Sequence, residues 1–129
     1  MDVLLVDDHP IIHETLRAIV RSVRPGVEVH SQFDLDSGLS QAKRLDALKL
    51  VVLDLGLPGC SGLDALDRFR SAMPNVRVVV VSANDDAAGV RAALDKGAVG
   101  FIPKTTRPKA MADALRTVLD GGVYIPLPQ

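Results

Sequence analysis

Apolar runs and amphipathic stretches alternate along this chain. Three runs, at 3–6, 50–53 and 76–81, are rich in Val and Leu, and polar residues do not alternate with apolar ones over their cores. This pattern is typical of strands that are covered on both faces, as in a parallel sheet. Residues 27–31 do alternate, and 99–102 form a short run. We predict that these two segments are strands at the two edges of the same sheet.

Each predicted strand is followed by apolar residues at helical spacing. In the first predicted helix, Pro10 suits the first turn. The apolar stripe of that helix consists of Ile11, Ile12, Leu16, Ile19, Val20 and Val23. The second helix is predicted over 34–45. The other three have predicted N-caps at Ser61, Asn84 and Thr106, and the last one ends at Gly121-Gly122.

The order of elements is therefore a strand and a helix, repeated five times. Right-handed crossovers turn this order into a doubly wound α/β fold, with helices on both faces of a five-stranded parallel sheet. The two edge strands fit the flavodoxin-like strand order 2-1-3-4-5, in which strands one and three are neighbours. Such sheets bind ligands at the carboxyl ends of the strands where the order reverses.

Three aspartates are predicted to meet at that point. Asp7 and Asp8 follow the first strand, and Asp54 follows the third. Carboxylates in one crevice repel each other unless a cation holds them or one of them is neutral. A set of oxygen ligands suits Mg²⁺ better than Zn²⁺. Asp54 stands alone at its strand end, so it is also a candidate nucleophile that would form an aspartyl phosphate.

Two further strand ends carry groups that suit a phosphate. Ser82 follows the fourth strand and Lys104 follows the fifth. A hydroxyl can donate a hydrogen bond to a phosphate oxygen, and an ammonium group can neutralise its charge. Neither residue is specific alone, but the joint placement of these groups at four strand ends predicts a phosphoryl-binding site.

This constellation closely resembles the receiver domain of two-component response regulators, over essentially the whole chain. The loop from Asp54 to Gly62 resembles the loop after the phosphorylated aspartate of that family, and Ala98-Val99-Gly100-Phe101-Ile102-Pro103-Lys104 resembles its fifth-strand motif. Asp7-Asp8-His9-Pro10 and the Gly100–Lys104 segment are most similar to regulators whose output is a LuxR-type helix-turn-helix.

The resemblance implies a role for each acid. Asp54 would accept a phosphoryl group from the phosphohistidine of a sensor kinase or a phosphotransfer protein. Asp8 and Asp54 would bind Mg²⁺ directly, with the Gly56 carbonyl, and Asp7 would bind it through water. The domain would then be a switch that catalyses only its own phosphorylation and dephosphorylation. It would not be an enzyme that acts on a separate substrate.

The resemblance also implies how the signal is read. Ser82 would shift toward the phosphoryl group, Phe101 would change rotamer with it, and Lys104 would pair with a phosphoryl oxygen. The helix from residue 85 and the face around Phe101 would be the readout. The chain departs from the family at Thr105, where the family often has proline, and at Gly56, which has no side chain to cover the phosphate. We hypothesise that Gly56 leaves the site open to water.

Composition limits the other possibilities. The 129 residues suit one domain, 47% of them are hydrophobic and 24% are charged, as in a globular protein. The net charge of −1 argues against direct binding to nucleic acid or to an anionic membrane. Cys60 is the single cysteine and no signal peptide is evident, which favours the cytoplasm. No apolar run reaches the ~20 residues of a membrane span.

We predict a receiver domain over 1–122. Residues 123–129 contain two prolines and are the expected start of a linker or a C-terminal tail. DNA would be bound only by an output domain outside this sequence. A homodimer through a helical face is also compatible with the sequence, which does not identify the face.

Two alternative functions remain open at this stage. A Mg²⁺-dependent phosphohydrolase with an aspartyl intermediate would have an Asp-x-Asp motif after the first strand and usually an inserted cap. In this chain Asp7 and Asp8 are adjacent, and there is no room for such an insertion. A degenerate receiver would serve only as a binding module. This chain retains all five residues of the candidate site, which are Asp7, Asp8, Asp54, Ser82 and Lys104. His9 and His13 have a spacing that could bind zinc, but a third ligand is lacking, so both are expected to be surface or loop histidines.

Overall fold

The computed structural model describes residues 1–83 and 87–126, and its elements alternate between strand and helix. The strands are β1 (Asp2–Val6), β2 (Glu28–Gln32), β3 (Leu48–Asp54), β4 (Arg77–Ser82) and β5 (Gly100–Pro103). The helices are α1 (Pro10–Val23), α2 (Leu35–Ala42), α3 (Gly62–Ala72), α4 (Ala87–Asp95) and α5 (Pro108–Leu119). Asn84, the predicted cap of the fourth helix, lies outside the described residues.

The strands form one parallel sheet in the order β2-β1-β3-β4-β5. This confirms the predicted order and the two predicted edge strands. The apolar runs predicted the inner strands because β1, β3 and β4 are buried along nearly their whole length. In contrast, β2 is mostly half-buried, as its alternating sequence indicated.

Side chains that alternate along the strands enter two separate cores. Leu4 and Val51 point to the core beneath α2, α3 and α4. Val3 and Val52 point to the core beneath α1 and α5. Helices therefore cover both faces of the sheet, as predicted.

The buried face of α1 differs from the predicted stripe at its first turn. Leu16 and Val20 are buried as expected, but Ile11 is 75% exposed. The residue that continues the buried line toward the N-terminus is His13, three residues before Leu16. Because each residue turns the helix by about 100°, Ile11 lies about 200° from His13 and faces the solvent.

Two other helix ends differ from the prediction. The N-cap of α5 is Arg107, not Thr106, because Pro108 forces the residue before it into an extended conformation. Thr106 instead closes a turn by donating its N–H to the Pro103 carbonyl. The second helix ends at Ala42 and not at Leu45, since the N–H groups of Arg44 and Leu45 donate to carbonyls only three residues back, which is the tighter i to i+3 pattern.

The chain after α5 returns to the sheet. Tyr124 forms a parallel bridge with Gly100 in β5. Part of the segment predicted to be a linker thus lies along the edge of the sheet. None of the helices in the described part of the chain has the length and apolar character that crossing a membrane requires.

Candidate functional site

The candidate residues converge at the carboxyl edge of the sheet because the strands there end in register. Asp7 comes directly after β1, Asp54 ends β3, and Ser82 ends β4. Asp54 lies opposite Val81 in the neighbouring strand, and Ser82 lies opposite Pro103. Lys104 donates its N–H to the Ser82 carbonyl at 2.8 Å. Four separate segments therefore bring their polar groups to one place.

Lys104 lies between two buried acids. Its ammonium nitrogen is 3.0 Å from Asp7 Oδ2 and 3.3 Å from Asp54 Oδ2. The side chains of Asp7 and Asp54 are almost fully buried, and that of Lys104 is 13% exposed. The cation offsets the repulsion that the sequence predicted between the acids. It leaves the pair with one positive charge against two carboxylates.

The two buried acids differ in how readily they ionise. Burial raises the pKa of Asp54 above its ordinary value, and the charge of Asp7 adds to the rise. The Gly56 N–H, 2.8 Å from Asp54 Oδ1, opposes it only in part. Burial would also raise the pKa of Asp7, but hydrogen bonds from Lys104 and His9 outweigh burial and hold it below the ordinary value. Asp54 is thus the acid whose charge is less well compensated.

The acid cluster fits a small divalent cation. Oxygen atoms of Asp7, Asp8 and Asp54 lie within 4.8 Å of one another. Asp7 Oδ2, Asp8 Oδ1 and Asp54 Oδ2 are buried, and among the described residues their polar neighbours are the Lys104 ammonium, which two of them share, and the His9 ring beside Asp8. One ammonium group does not fully compensate these carboxylate oxygens, so a further cation would lower the cost of burying them. Such oxygens are the ligands that Mg²⁺ prefers.

His9 belongs to this site, although it was expected to be an ordinary surface or loop residue. Its ring is 59% exposed, but Nδ1 lies 2.8 Å from Asp7 Oδ1 and 3.2 Å from Asp8 Oδ1. Nδ1 is also 3.2 Å from the Lys104 ammonium. His9 is the N-cap of α1, and its N–H donates to Asp7 Oδ1. In the sequence, its position between Asp8 and the proline that begins α1 is the signal from which this contact could have been predicted.

His13 is buried, so the surface prediction was wrong for this residue. Its side chain is 4% exposed. Nε2 lies 2.6 Å from the Asp7 carbonyl oxygen, and since a carbonyl only accepts, Nε2 carries the hydrogen. The ring also contacts Phe33, with 4.3 Å between ring centroids. His13 therefore anchors the backbone of an acid in the site.

A cavity of about 510 Å³ opens beside the acids. Asp54 lines it together with Ser82, at the end of β4, and Lys104, directly after β5. Its walls are formed by His9, Asp54, Leu55, Gly56, Leu63, Ser82, Ala83, Gly89, Phe101 and Lys104. Phe101 is 1% exposed, so its ring is packed inward. A Cβ on Gly56 would come within 3.4 Å of Asp54 Oδ1, so a larger residue there would cover the carboxylate.

Comparisons with known proteins agree with this arrangement. The family model described as "Response regulator receiver domain" matches residues 3–116. The glycerol metabolism activator of Pseudomonas putida is 42% identical over 124 residues, which are 96% of this chain and 56% of that protein. The chain thus spans little more than half the length of this curated relative.

Two solved structures are also similar. A LuxR family DNA-binding response regulator from Silicibacter pomeroyi is 28% identical with a TM-score of 0.85, and the match covers 98% of this chain and 97% of that one. The isolated REC domain of RcsB from Salmonella enterica serovar Typhimurium, solved with the phosphomimetic BeF₃⁻, is 26% identical with a TM-score of 0.87. That match covers 98% of this chain and 93% of the other.

Proposed function

The chain belongs to the response regulator receiver domain family, and on this premise we propose that it is a phosphoryl-accepting switch whose acceptor is Asp54. The observation that carries the proposal is the asymmetry between the two buried acids. Asp54 lines the cavity beside Ser82 and Lys104. Asp7 has one oxygen engaged by the N–H and the ring of His9. A phosphoryl donor that enters the cavity therefore meets Asp54.

The transfer itself requires little of the protein beyond position and charge. An Asp54 carboxylate oxygen forms a bond to phosphorus as the bond between phosphorus and the donor nitrogen of a phosphohistidine breaks. The electron pair of that bond stays on the imidazole of the donor. Lys104 neutralises charge on the phosphoryl oxygens from a distance that already suits an ion pair with Asp54. Ser82 supplies a hydroxyl that can donate to them.

Mg²⁺ is the cation that we propose for the acid cluster. Asp8 and Asp54 would hold it directly, with the Gly56 carbonyl, and Asp7 through water. When bound, the ion neutralises charge on the transferring phosphoryl group. The cluster of buried carboxylate oxygens, for which Lys104 supplies a single positive charge, supports this assignment. The reaction modifies the chain's own aspartate, so we do not regard the chain as an enzyme that acts on a separate substrate.

We propose that phosphorylation of Asp54 is read at Phe101 and α4. Both contribute to the wall of the same cavity, α4 through Gly89. A phosphoryl group brings a charge of about −1.5 to −2, which is enough to bias an element that has two arrangements. Ser82 would move toward the phosphoryl group, and the inward rotamer of Phe101, which this structure already shows, would be favoured further.

The partners follow from the family. We propose that a sensor histidine kinase or a phosphotransfer protein supplies the phosphoryl group, and that the chain works in the cytoplasm, where a single cysteine stays reduced. Residues 1–122 would be the receiver, and 123–129 the start of a linker or tail. Transcription control through a LuxR-type output domain is proposed because the similar structure from Silicibacter pomeroyi is that of a LuxR family DNA-binding response regulator. A homodimer remains part of the proposal, without an assigned face.

Intact-mass measurement tests the acceptor. Treatment with a small acyl phosphate and Mg²⁺ should add one phosphoryl group, and Asp54→Asn should abolish the adduct. Asp36→Asn is a matched control, because Asp36 is an exposed aspartate at the start of α2, and it should be modified like the wild type. An adduct that persists in Asp54→Asn would refute the proposal. Repeated turnover of a generic phosphoester would favour the phosphohydrolase alternative instead.

A further inference from the structure

The segment that leaves α5 is held against the edge of the sheet by its backbone. Tyr124 donates its N–H to the Val99 carbonyl at 3.0 Å, and its own carbonyl accepts from the Phe101 N–H at 3.2 Å. These are the two bonds of a parallel bridge centred on Gly100. We call residues 123–126, which contain this bridge, the exit segment.

The end of α5 directs the chain into this position. Gly121 has a φ of +94°, and the Gly122 N–H donates to the Thr117 carbonyl at 2.9 Å. Together with the bond from the Gly121 N–H to the Val118 carbonyl, this is the Schellman arrangement that ends many helices. Arg77, the first residue of β4, also donates to the Gly122 carbonyl. The return of the chain to β5 is thus fixed on both sides of the turn.

Gly100 is required by the close approach of the exit segment. A Cβ at this position would lie 2.9 Å from the Tyr124 carbonyl oxygen and 3.2 Å from Tyr124 Cβ. Gly100 is not among the glycines with positive φ, so the backbone conformation itself would accept another residue. The glycine therefore serves the contact with Tyr124 and not the local conformation of β5.

One of the two β5 residues at this bridge, Phe101, also faces the phosphoryl site. The Phe101 side chain lines the cavity with Asp54 and Lys104, while its N–H is bonded to Tyr124. In this structure the inward position of the Phe101 ring and the paired position of Tyr124 occur together. A single stretch of backbone thus joins the wall of the site to the segment that leads out of the domain.

We propose that the β5 edge is the docking surface for the chain's own exit segment, and that occupation of the Asp54 site strengthens this docking. The inference rests on the proposed function, because it uses inward packing of Phe101 as the link. A group on Asp54 that favours the inward ring favours the arrangement in which the Phe101 N–H meets Tyr124. The exit segment would then be held more firmly against β5 in the phosphorylated state, and whatever follows it would be kept in a defined direction.

Amide hydrogen exchange measures this coupling at the bonded groups. With Mg²⁺ and beryllofluoride as a phosphate mimic, exchange of the Tyr124 and Phe101 amides should slow by about fivefold or more, the lower end of typical coupling between sites. Tyr124 is the only tyrosine, and the chain has no tryptophan, so tyrosine emission gives a second readout of the same residue.

Gly100→Ala should weaken the docking. Its Tyr124 amide should exchange faster than in the wild type without any ligand. Because coupling between two sites is reciprocal, it should also bind beryllofluoride more weakly by a similar factor. Tyr124→Pro is a second variant, which removes the donor to Val99 and leaves β5 unchanged. Ile125→Ala is the control, since Ile125 is exposed and truncating its side chain keeps every backbone donor.

The outcomes separate this inference from the proposed function. If the acyl phosphate modifies Asp54 and beryllofluoride slows Tyr124 exchange, both stand. If Asp54 is modified but Tyr124 exchange is unchanged, or if Gly100→Ala binds beryllofluoride like the wild type, the inference is wrong and the proposed function is unaffected. If Asp54 accepts no phosphoryl group, the proposed function fails and the coupling fails with it.

Discussion

The bodies of the inner strands bury apolar side chains, whereas their carboxyl ends bury acids. Val80 and Leu53, within β4 and β3, are completely buried among apolar side chains. One position further on, Asp54 is equally buried, but it contacts a cation and another acid. The apolar side chains stabilise the fold and have no reactive groups. The buried acids cost stability and supply the groups that can bind a phosphoryl group.

This difference has a simple physical origin. Burial of apolar surface is favourable at any position in the strand. Burial of a carboxylate is unfavourable unless a partner compensates it. Among the described residues, the acids that the sheet buries, Asp7 and Asp54, therefore lie where the strands open onto the cavity, within reach of Lys104 and of a metal ion. We therefore expect substitutions in the apolar core around the strands to change mainly stability. Substitutions at the carboxyl ends of the strands should affect stability and phosphoryl transfer to different degrees.

The largest effect on stability is expected in the apolar core that packs against the bodies of the strands. Phe69 on α3 is fully buried, and Phe69→Ala should lower the free energy of unfolding by about 3–5 kcal/mol. Urea unfolding measures the loss. The folded fraction should still accept a phosphoryl group on Asp54, because Phe69 is not part of the cavity wall. If the variant were as stable as the wild type, our assignment of the core beneath α2 to α4 would be wrong.

A smaller loss of stability is expected at the strand ends. Lys104→Met leaves Asp7 and Asp54 without their shared cation, and breaking a partly exposed pair should cost about 3 kcal/mol or less. Added Mg²⁺ should recover part of the loss and stabilise this variant more than the wild type. Lys96→Met is the matched control, because Lys96 pairs with Asp67 at the surface, and its effect should stay within about 0.5 kcal/mol. An equal response of the two variants to Mg²⁺ would contradict this account of the acid cluster.

The smallest effect is a gain of stability at the acceptor. Asp54 has a raised pKa, so its ionised form is less favourable in the folded protein than in the unfolded chain. Its contribution to stability therefore falls as the pH rises from its ordinary pKa of 3.8 through the raised value. Asp54→Asn should remove this fall, and should be more stable than the wild type above that window in the absence of divalent cations. Unfolding curves at a series of pH values measure the difference, and a less stable Asp54→Asn would argue against a cost from burial of the Asp54 carboxylate and from its repulsion by Asp7.

Sequence patterns predicted the strands and their order because long Val and Leu runs have few alternatives to a buried parallel strand. The same logic predicted where Asp7, Asp54, Ser82 and Lys104 would meet, since residues after parallel strands share one edge. The details of α1 were harder to predict. The buried line of that helix passes through His13, a polar residue whose Nε2 is compensated by a hydrogen bond to the Asp7 carbonyl.

The contacts of loops were also beyond the sequence patterns. His9 reaches the acids through the bend between β1 and α1, whose course depends on the packing of α1 on the sheet. Tyr124 was expected in an extended linker, and it is extended, but its pairing with β5 depends on the turn after α5. Gly100 was the available signal, since a glycine inside a strand often marks a close approach of another backbone.

The position of the phosphoryl group is the most direct test of the central claim. An aspartyl phosphate is an acyl phosphate, which borohydride reduces to an alcohol, so a phosphorylated aspartate becomes homoserine. After treatment with a small acyl phosphate and Mg²⁺, followed by reduction and peptide mapping by mass spectrometry, we predict homoserine at position 54 only. Homoserine at position 7 or 8, or no homoserine in a protein that carries the adduct, would contradict the assignment of Asp54 as the acceptor.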